Sequence, residues 1–367
     1  MGKLARGRVR AISKLLLPVL AALSKPQRPQ ALIYLAGLIF LEKFRSIREI
    51  AAFCGNAKTD RLHHLLSQAP LSAVSLQQAM HAPLASLSAD QTAVLALDDT
   101  HDPRNGNAIE GAGWHHDGQQ LLKGLCAVTA MLKLGARRFC FAMRGYRPKA
   151  HCPKDAFRSK IDLACDILKE AATHFAPGEL VVLADSWYGC VRLLSDIHER
   201  GWTYVFGIKS NRIVRVNGKK RRVRDLAKAR HKFQTLKLGG RKLRVARLVV
   251  DLPRVGEVAL LMSRCGKEWR FFVSNDLKLS ALALARLYAH RWGVDVMHRE
   301  IKQHLGFGEV FARRWQAVQM HWTLVALAYN MVEWSDTGGR KSFRAKQRVL
   351  RQAITPAELI QRYRCHV

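Results

Sequence analysis

Bounded apolar runs of strand length alternate along the chain with longer stretches whose apolar residues recur three and four apart. Val94-Leu-Ala-Leu97 and Leu180-Val-Val-Leu-Ala184 predict two buried strands. Between them, Gly124 to Leu132 and Arg138 to Met143 predict two more strands in a meander. Phe157 to Phe175 predicts a helix, since Ile161, Ala164, Cys165 and Leu168 keep helical spacing. A helix with Val191, Leu194 and Ile197 on one face follows, and then a strand over Tyr204-Val-Phe-Gly-Ile208.

From Lys209 to about Leu279 the period shortens. Arg244 to Val250, Val258 to Met262 and Trp269 to Val273 alternate as strands do, and Asn217-Gly218, Gly239-Gly240 and Cys265-Gly266 mark turns between such runs. The pattern predicts a β-rich insertion over residues 209–279, with further sheet belonging to the core as the alternative. Residues 1–90 predict helices, broken at Pro26, Pro29 and Pro70. Within them, Arg45 to Cys54 leads through Gly55 into Lys58 to Leu66 as a small helix-turn-helix DNA-binding unit or as plain bundle packing. Residues 336–367 read as a basic tail.

The chemistry-bearing positions fall at the ends of this pattern. The strand at Val94 runs into Asp98-Asp99-Thr100, and the strand at Leu180 into Asp185-Ser-Trp-Tyr-Gly189. An Asp after a strand is most often a turn former or helix cap. Further on, Tyr288-Ala-His-Arg291-Trp-Gly-Val-Asp295-Val-Met-His-Arg-Glu-Ile-Lys302 predicts a single helix. At about 100° per residue, Tyr288, Arg291, Asp295 and Lys302 share an arc of roughly 60°. Val294, Met297, Ile301 and Leu305 form the apolar stripe opposite. Glu300 lies about 140° from Asp295 and is the poorer candidate for the same site.

The spacing Tyr, two residues, Arg, three residues, acid, six residues, Lys resembles the Tyr-Arg-Glu-Lys signature of one class of bacterial insertion-sequence DDE transposases. This chain carries Asp295 where that class has Glu, one methylene shorter. The resemblance implies that Asp99, which directly precedes a Thr, Asp185 and Asp295 are the catalytic and metal-binding acids. Asp98 is the runner-up for the first position, since neighbouring strand residues point to opposite faces. It further implies an α/β fold: a ribonuclease-H-like catalytic core over residues 91–208 and 280–335, the β-rich insertion, and a helical N-terminal domain. The element order strand, strand, strand, helix, strand, helix, strand agrees with such a core. Two magnesium ions about 3.5 to 4 Å apart, with manganese as a substitute, would serve in-line phosphodiester displacement. Arg291, Lys302, Tyr288 and Lys209 would contact DNA. Trp269, the insertion's only Trp, would stack on a flipped base during a hairpin step, and a homodimer would assemble on transposon ends and target.

Composition agrees with a polyanionic partner. There are 61 Lys plus Arg against 28 Asp plus Glu, a formal net charge of +33, and counterion release from DNA phosphates rewards such a surplus. The basic start followed by Leu15 to Ala22 resembles a signal peptide in outline, but without a convincing cleavage site. Ala31 to Leu41 is shorter than the ~20 apolar residues that span a bilayer, so no membrane partner is expected. With the resemblance, this implies a bacterial cytoplasmic, nucleoid-associated location. The 8 cysteines form no Cys-x-x-Cys pair, and His63-His64 and His115-His116 are weak zinc signals without cysteines beside them. A ribonuclease-H-fold nuclease without strand transfer and a domesticated, inactive DNA-binding descendant stay open.

Overall fold

A computed structural model describes residues 3–55, 57–86, 92–106, 108–116, 120–153, 156–229, 233–309, 312–335 and 341–364. In chain order, helices α1 (Lys3–Ala21), α2 (Gln27–Phe40), α3 (Ile47–Phe53), α4 (Thr59–Ser67) and α5 (Ala73–Ala79) come first. Strands β1 (Ala93–Pro103), β2 (Gly113–His116), β3 (Leu121–Leu134) and β4 (Arg137–Tyr146) follow. Next are α6 (Lys160–Ala171), β5 (Leu180–Ala184), α7 (Val191–Glu199) and β6 (Thr203–Gly207). The strand-rich stretch holds β7 (Ile213–Val216), β8 (Lys219–Arg222), α8 (Val223–Lys228), β9 (Gln234–Leu238), β10 (Arg241–Leu252), β11 (Gly256–Cys265) and β12 (Glu268–Ser274). Helices α9 (Ala281–Ala289), α10 (Trp292–His304), α11 (Trp315–Ser335), α12 (Phe343–Ala353) and α13 (Pro356–Arg364) complete the described chain. The protein is thus mixed α/β. It divides into two compact units, Met1–Ser88 with Asp99–Lys160 and Val296–Val367, and Ala89–Asp98 with Ile161–Asp295.

The first unit is built around α11, which is apolar on all sides and buried along nearly its whole length. It packs on β4 and on α1, α2, α4, α5 and α12. Two of the polar side chains it buries, His321 and Asn330, are each paired twice, as burial demands. His321 meets the Tyr34 hydroxyl at 2.8 Å and the Gly306 carbonyl at 2.9 Å. Asn330 accepts from the Cys140 N–H at 2.7 Å and donates to its carbonyl at 3.0 Å, and Gln77 treats Met143 the same way. Two amide side chains thereby occupy peptide groups of β4 that would otherwise template a further strand.

The basic, apolar start is α1, with Ile12, Leu15, Leu16 and Leu20 wholly buried. The region read as a helix-turn-helix is α3 and α4 around Gly55, with residue 56 outside the described residues. Within the region read as a basic tail, residues 336–340 and 365–367 lie outside the described residues. Residues 343–364 hold α12 and α13, whose Phe343, Leu350 and Tyr363 are buried. The apolar spacing in those helices was masked by their high charge.

In the second unit β1, β5 and β6 run parallel, with Leu97 opposite Ala184 and Ala184 opposite Phe206. β12 pairs antiparallel with β6, placing Phe272 against Gly207, and β11, β10, β7 and β8 continue the sheet. Residues 209–279 therefore extend the core sheet edge to edge. The turn signals act as hairpin turns: Asn217 and Gly218 have φ of 50° and 77°, Gly239 and Gly240 of 56° and 76°. Two successive positive φ values suit the right-handed twist of the strands they join. β1 continues past the predicted end at Leu97, so Asp98 and Asp99 stand inside a strand.

Candidate active site

Asp185 immediately follows β5, and its position is set by its own backbone neighbourhood. Its Oδ1 accepts from the Trp187 N–H at 2.9 Å and the Tyr188 N–H at 3.4 Å, an Asx-type turn that fixes the carboxylate. β6 presses closely on this turn. A Cβ on Gly207 would stand 2.8 Å from the Ser186 nitrogen, and one on Gly189 would stand 2.7 Å from the Gly207 carbonyl. Only hydrogen at both positions lets the loop after β5 lie against β6.

A second pair of acids is gathered by one guanidinium. Arg291 donates from Nη1 to Asp98 Oδ2 at 2.8 Å, and its Nη2 lies 3.1 Å from Asp295 Oδ2. The latter contact is close but poorly aligned, since Asp295 Oδ2 is buried without a well-formed hydrogen bond. Burial raises the Asp295 pKa; Arg291 opposes the rise and Asp185 adds to it. Burial also raises Tyr288, with Arg291 opposing and Asp185 and Asp98 reinforcing. For Arg291 burial disfavours the cation, but Tyr288, Asp295, Asp98 and Asp185 outweigh it and the pKa rises. Asp98 and Asp295 thus both contact Arg291, and the Asp185 carboxylate is near enough to act on Arg291 and Asp295 through its charge.

The expected single helix through Tyr288 and Lys302 is two helices. α9 ends at Ala289, and α10 begins at Trp292. Between them Arg291 N–H bonds the Tyr288 carbonyl, Gly293 that of His290 and Val294 that of Arg291. These spans of three residues are tighter than an α-helical turn, and Gly293 is a weak helix former. The arc of an ideal helix therefore fails between Tyr288 and Asp295, while Arg291 and Asp295 still meet.

Carboxylate oxygens are the donors that divalent cations of the magnesium type take, and one of those beside Arg291, Asp295 Oδ2, is buried without a hydrogen bond; among the described residues Asp98, Asp185 and Asp295 are not a group whose ligand atoms all lie within 4.8 Å of one another. The family described as DDE superfamily endonuclease matches residues 18–241, more than half of the chain. The chain belongs to the DDE superfamily endonucleases. The matched span of this endonuclease contains Asp98, Asp99 and Asp185 and ends before the Tyr288 to Lys302 stretch. Comparison with curated proteins finds no match.

Other residues singled out from the sequence of the endonuclease lie elsewhere. Asp99 Oδ2 takes Lys160 Nζ at 2.5 Å and stands 3.4 Å from His101 Nε2. Adjacent strand residues face opposite ways, and here Asp98 is the one turned toward Arg291. Glu300 bonds Arg138 at 3.1 Å, in a buried network with Glu333 and Tyr329, and takes no part with the acids. Lys302 is exposed, with Asp102 as its acidic neighbour. Lys209 is exposed just beyond β6. Trp269 lies against Phe233 and Phe271 with the Arg264 guanidinium over it. Trp187 and Trp292, beside Asp185 and Arg291 in the chain, are 46% and 61% exposed. Among the described residues no helix is long and apolar enough to cross a membrane.

Proposed function

We propose that the protein is a DNA transposase of the class with the Tyr-Arg-Glu-Lys signature, encoded by a bacterial insertion sequence. On this reading it cuts transposon ends and joins them to target DNA as a homodimer, through a hairpin. The coupling of Asp98, Asp185 and Asp295 about Arg291 carries the proposal. Asp98 takes the first position in place of Asp99, and Asp185 and Asp295 keep theirs. These three would hold two magnesium ions, whose chemistry is to activate an attacking oxygen and stabilise the leaving one. Arg291 neutralises Asp98 and Asp295 in the metal-free protein and turns to DNA phosphates once those carboxylates are ligands. Lys302 and Lys209 hold the backbone as point charges, and Tyr288 donates a hydrogen bond to it.

The same reading keeps residues 91–208 and 280–335 as a ribonuclease-H-like core, 1–90 as a DNA-binding helical domain, and 209–279 as the segment supplying Trp269 for a flipped base. The net charge of +33 supports duplex DNA as the substrate. The test is cleavage and joining of DNA carrying the inverted repeats that flank the gene. Asp185→Asn should reduce magnesium-dependent cleavage by more than about 10²-fold, the loss of several kcal/mol of charge stabilisation, while end binding persists. Cleavage without any joined product would favour a nuclease lacking strand transfer. Undiminished cleavage by Asp185→Asn would refute the assignment.

A further inference from the structure

We propose that Asp99, His101, His115 and Cys126 form a zinc-binding site, separate in its ligands from Asp98, Asp185 and Asp295. Asp99 and His101 stand two apart on β1, so they share a face. His115 comes from β2 and Cys126 from β3, within the same unit. Ligand atoms of His101, His115 and Cys126 all lie within 4.8 Å of one another. Asp99 Oδ2 lies 3.4 Å from His101 Nε2 and 3.6 Å from Cys126 Sγ. Tetrahedral zinc, with bonds of about 2.0 Å to nitrogen or oxygen and 2.3 Å to sulfur, sets its ligand atoms roughly 3.3 to 3.7 Å apart. The two Asp99 contacts already match that edge; Asp99 stands outside the group whose atoms all lie within 4.8 Å of one another, so the ion would draw it and His115 together.

The surroundings prepare these groups as ligands. His115 Nε2 faces the Gly124 carbonyl at 3.1 Å. A carbonyl only accepts, so Nε2 carries the proton and Nδ1 is left as the ring's lone-pair nitrogen, as metal-binding histidines require. Burial, then the neighbouring His101 and Lys160, lowers His115 to about 4, so the ring is neutral. Burial pushes the Cys126 thiol up to about 12, with Lys160 pulling it down. Binding therefore breaks the S–H bond, forms the zinc–sulfur bond and releases that proton to solvent. One carboxylate, one thiolate and two neutral imidazoles balance the charge of zinc. Lys160, whose Nζ already reaches Asp99 Oδ2 and bonds Cys126, stays as a donor to both anions. Such a site would tie β1 to β2 and β3.

Full-length protein purified without chelator is to be analysed for metal, and metal-free protein titrated with cobalt(II). The expected result is one zinc per chain and, with cobalt, a thiolate charge-transfer band together with tetrahedral visible bands. Cys126→Ser and His115→Gln should bring zinc from one per chain to near none, whereas Asp185→Asn should keep it. Zinc lost from Asp185→Asn but kept by Cys126→Ser would place the ion among the other acids and overturn the proposal. Should Cys126→Ser fail to fold, the wild-type spectrum decides: a folded wild type whose cobalt spectrum lacks a thiolate band overturns it as well.

Discussion

Two neighbouring aspartates of β1 have opposite fates because a pleated strand turns successive side chains to opposite faces. Asp98 meets Arg291, and Asp99 meets Lys160. Asp98→Asn should therefore cost more than about 10²-fold in DNA cleavage, the scale of a lost metal ligand. Asp99→Asn should leave cleavage within about tenfold, a loss of 1.4 kcal/mol or less in barrier terms. Single-turnover nicking assays compare them, and the reverse ranking would restore Asp99 as the first acid. Asp295 adds a stability prediction. Its folded-state pKa is raised, chiefly by burial, so its stabilising contribution is full below the unfolded value and lost as pH rises through the folded one. In chelator at neutral pH, Asp295→Asn should unfold at equal or higher denaturant than wild type. That gain should vanish near about pH 3, where the carboxyl is neutral in both states. Marked destabilisation at neutral pH would show instead that the Arg291 contact outweighs desolvation.

At the scale of elements, α11 and β4 show how a buried helix and an exposed strand edge solve each other's problem. The helix brings amide side chains that no apolar stripe would provide, and Asn330 satisfies both peptide groups of Cys140. Asn330→Ala leaves a buried N–H and C=O unpaired, each costing about 1–3 kcal/mol, so a loss of roughly 2–6 kcal/mol is expected. Equilibrium denaturation measures it, and a loss below about 0.5 kcal/mol would mean that water reaches the strand edge. Elements with a strong local signal were legible beforehand: β5 spans Leu180–Ala184 as its apolar run does, and β10 to β12 follow the alternating runs. β8, Lys219–Arg222, was not, because it is exposed and carries four cations with no apolar face to betray it. The break between α9 and α10 was also hidden, since the residues around it have helical spacing and the change lies only in which carbonyl each N–H chooses.

For the molecule as a whole, the surplus of cations sets the physics of binding. With a formal net charge of +33, affinity for duplex DNA should fall linearly in log–log form with salt, releasing ~0.9 counterions per phosphate neutralised. Fluorescence anisotropy over a range of salt concentrations measures the slope. A slope near zero would mean that apolar or base contacts, and not phosphate contacts, carry the binding.

By itself the sequence determined the types of most elements, the basic character of the molecule, and the short set of acids that are candidates for a site. Periodicity and composition are local properties, and burial against any core enforces them. Tertiary structure alone decided that Asp98 is turned to Arg291 and Asp99 to Lys160, because alternation says that the two diverge but not which way the strand is turned. It decided that β12 lies against β6, since strand pairing depends on edges far apart in the chain. It also drew His101, His115 and Cys126 together from three strands. No spacing rule anticipates such a meeting, because the distance between residues on neighbouring strands is set by register and not by their separation in sequence.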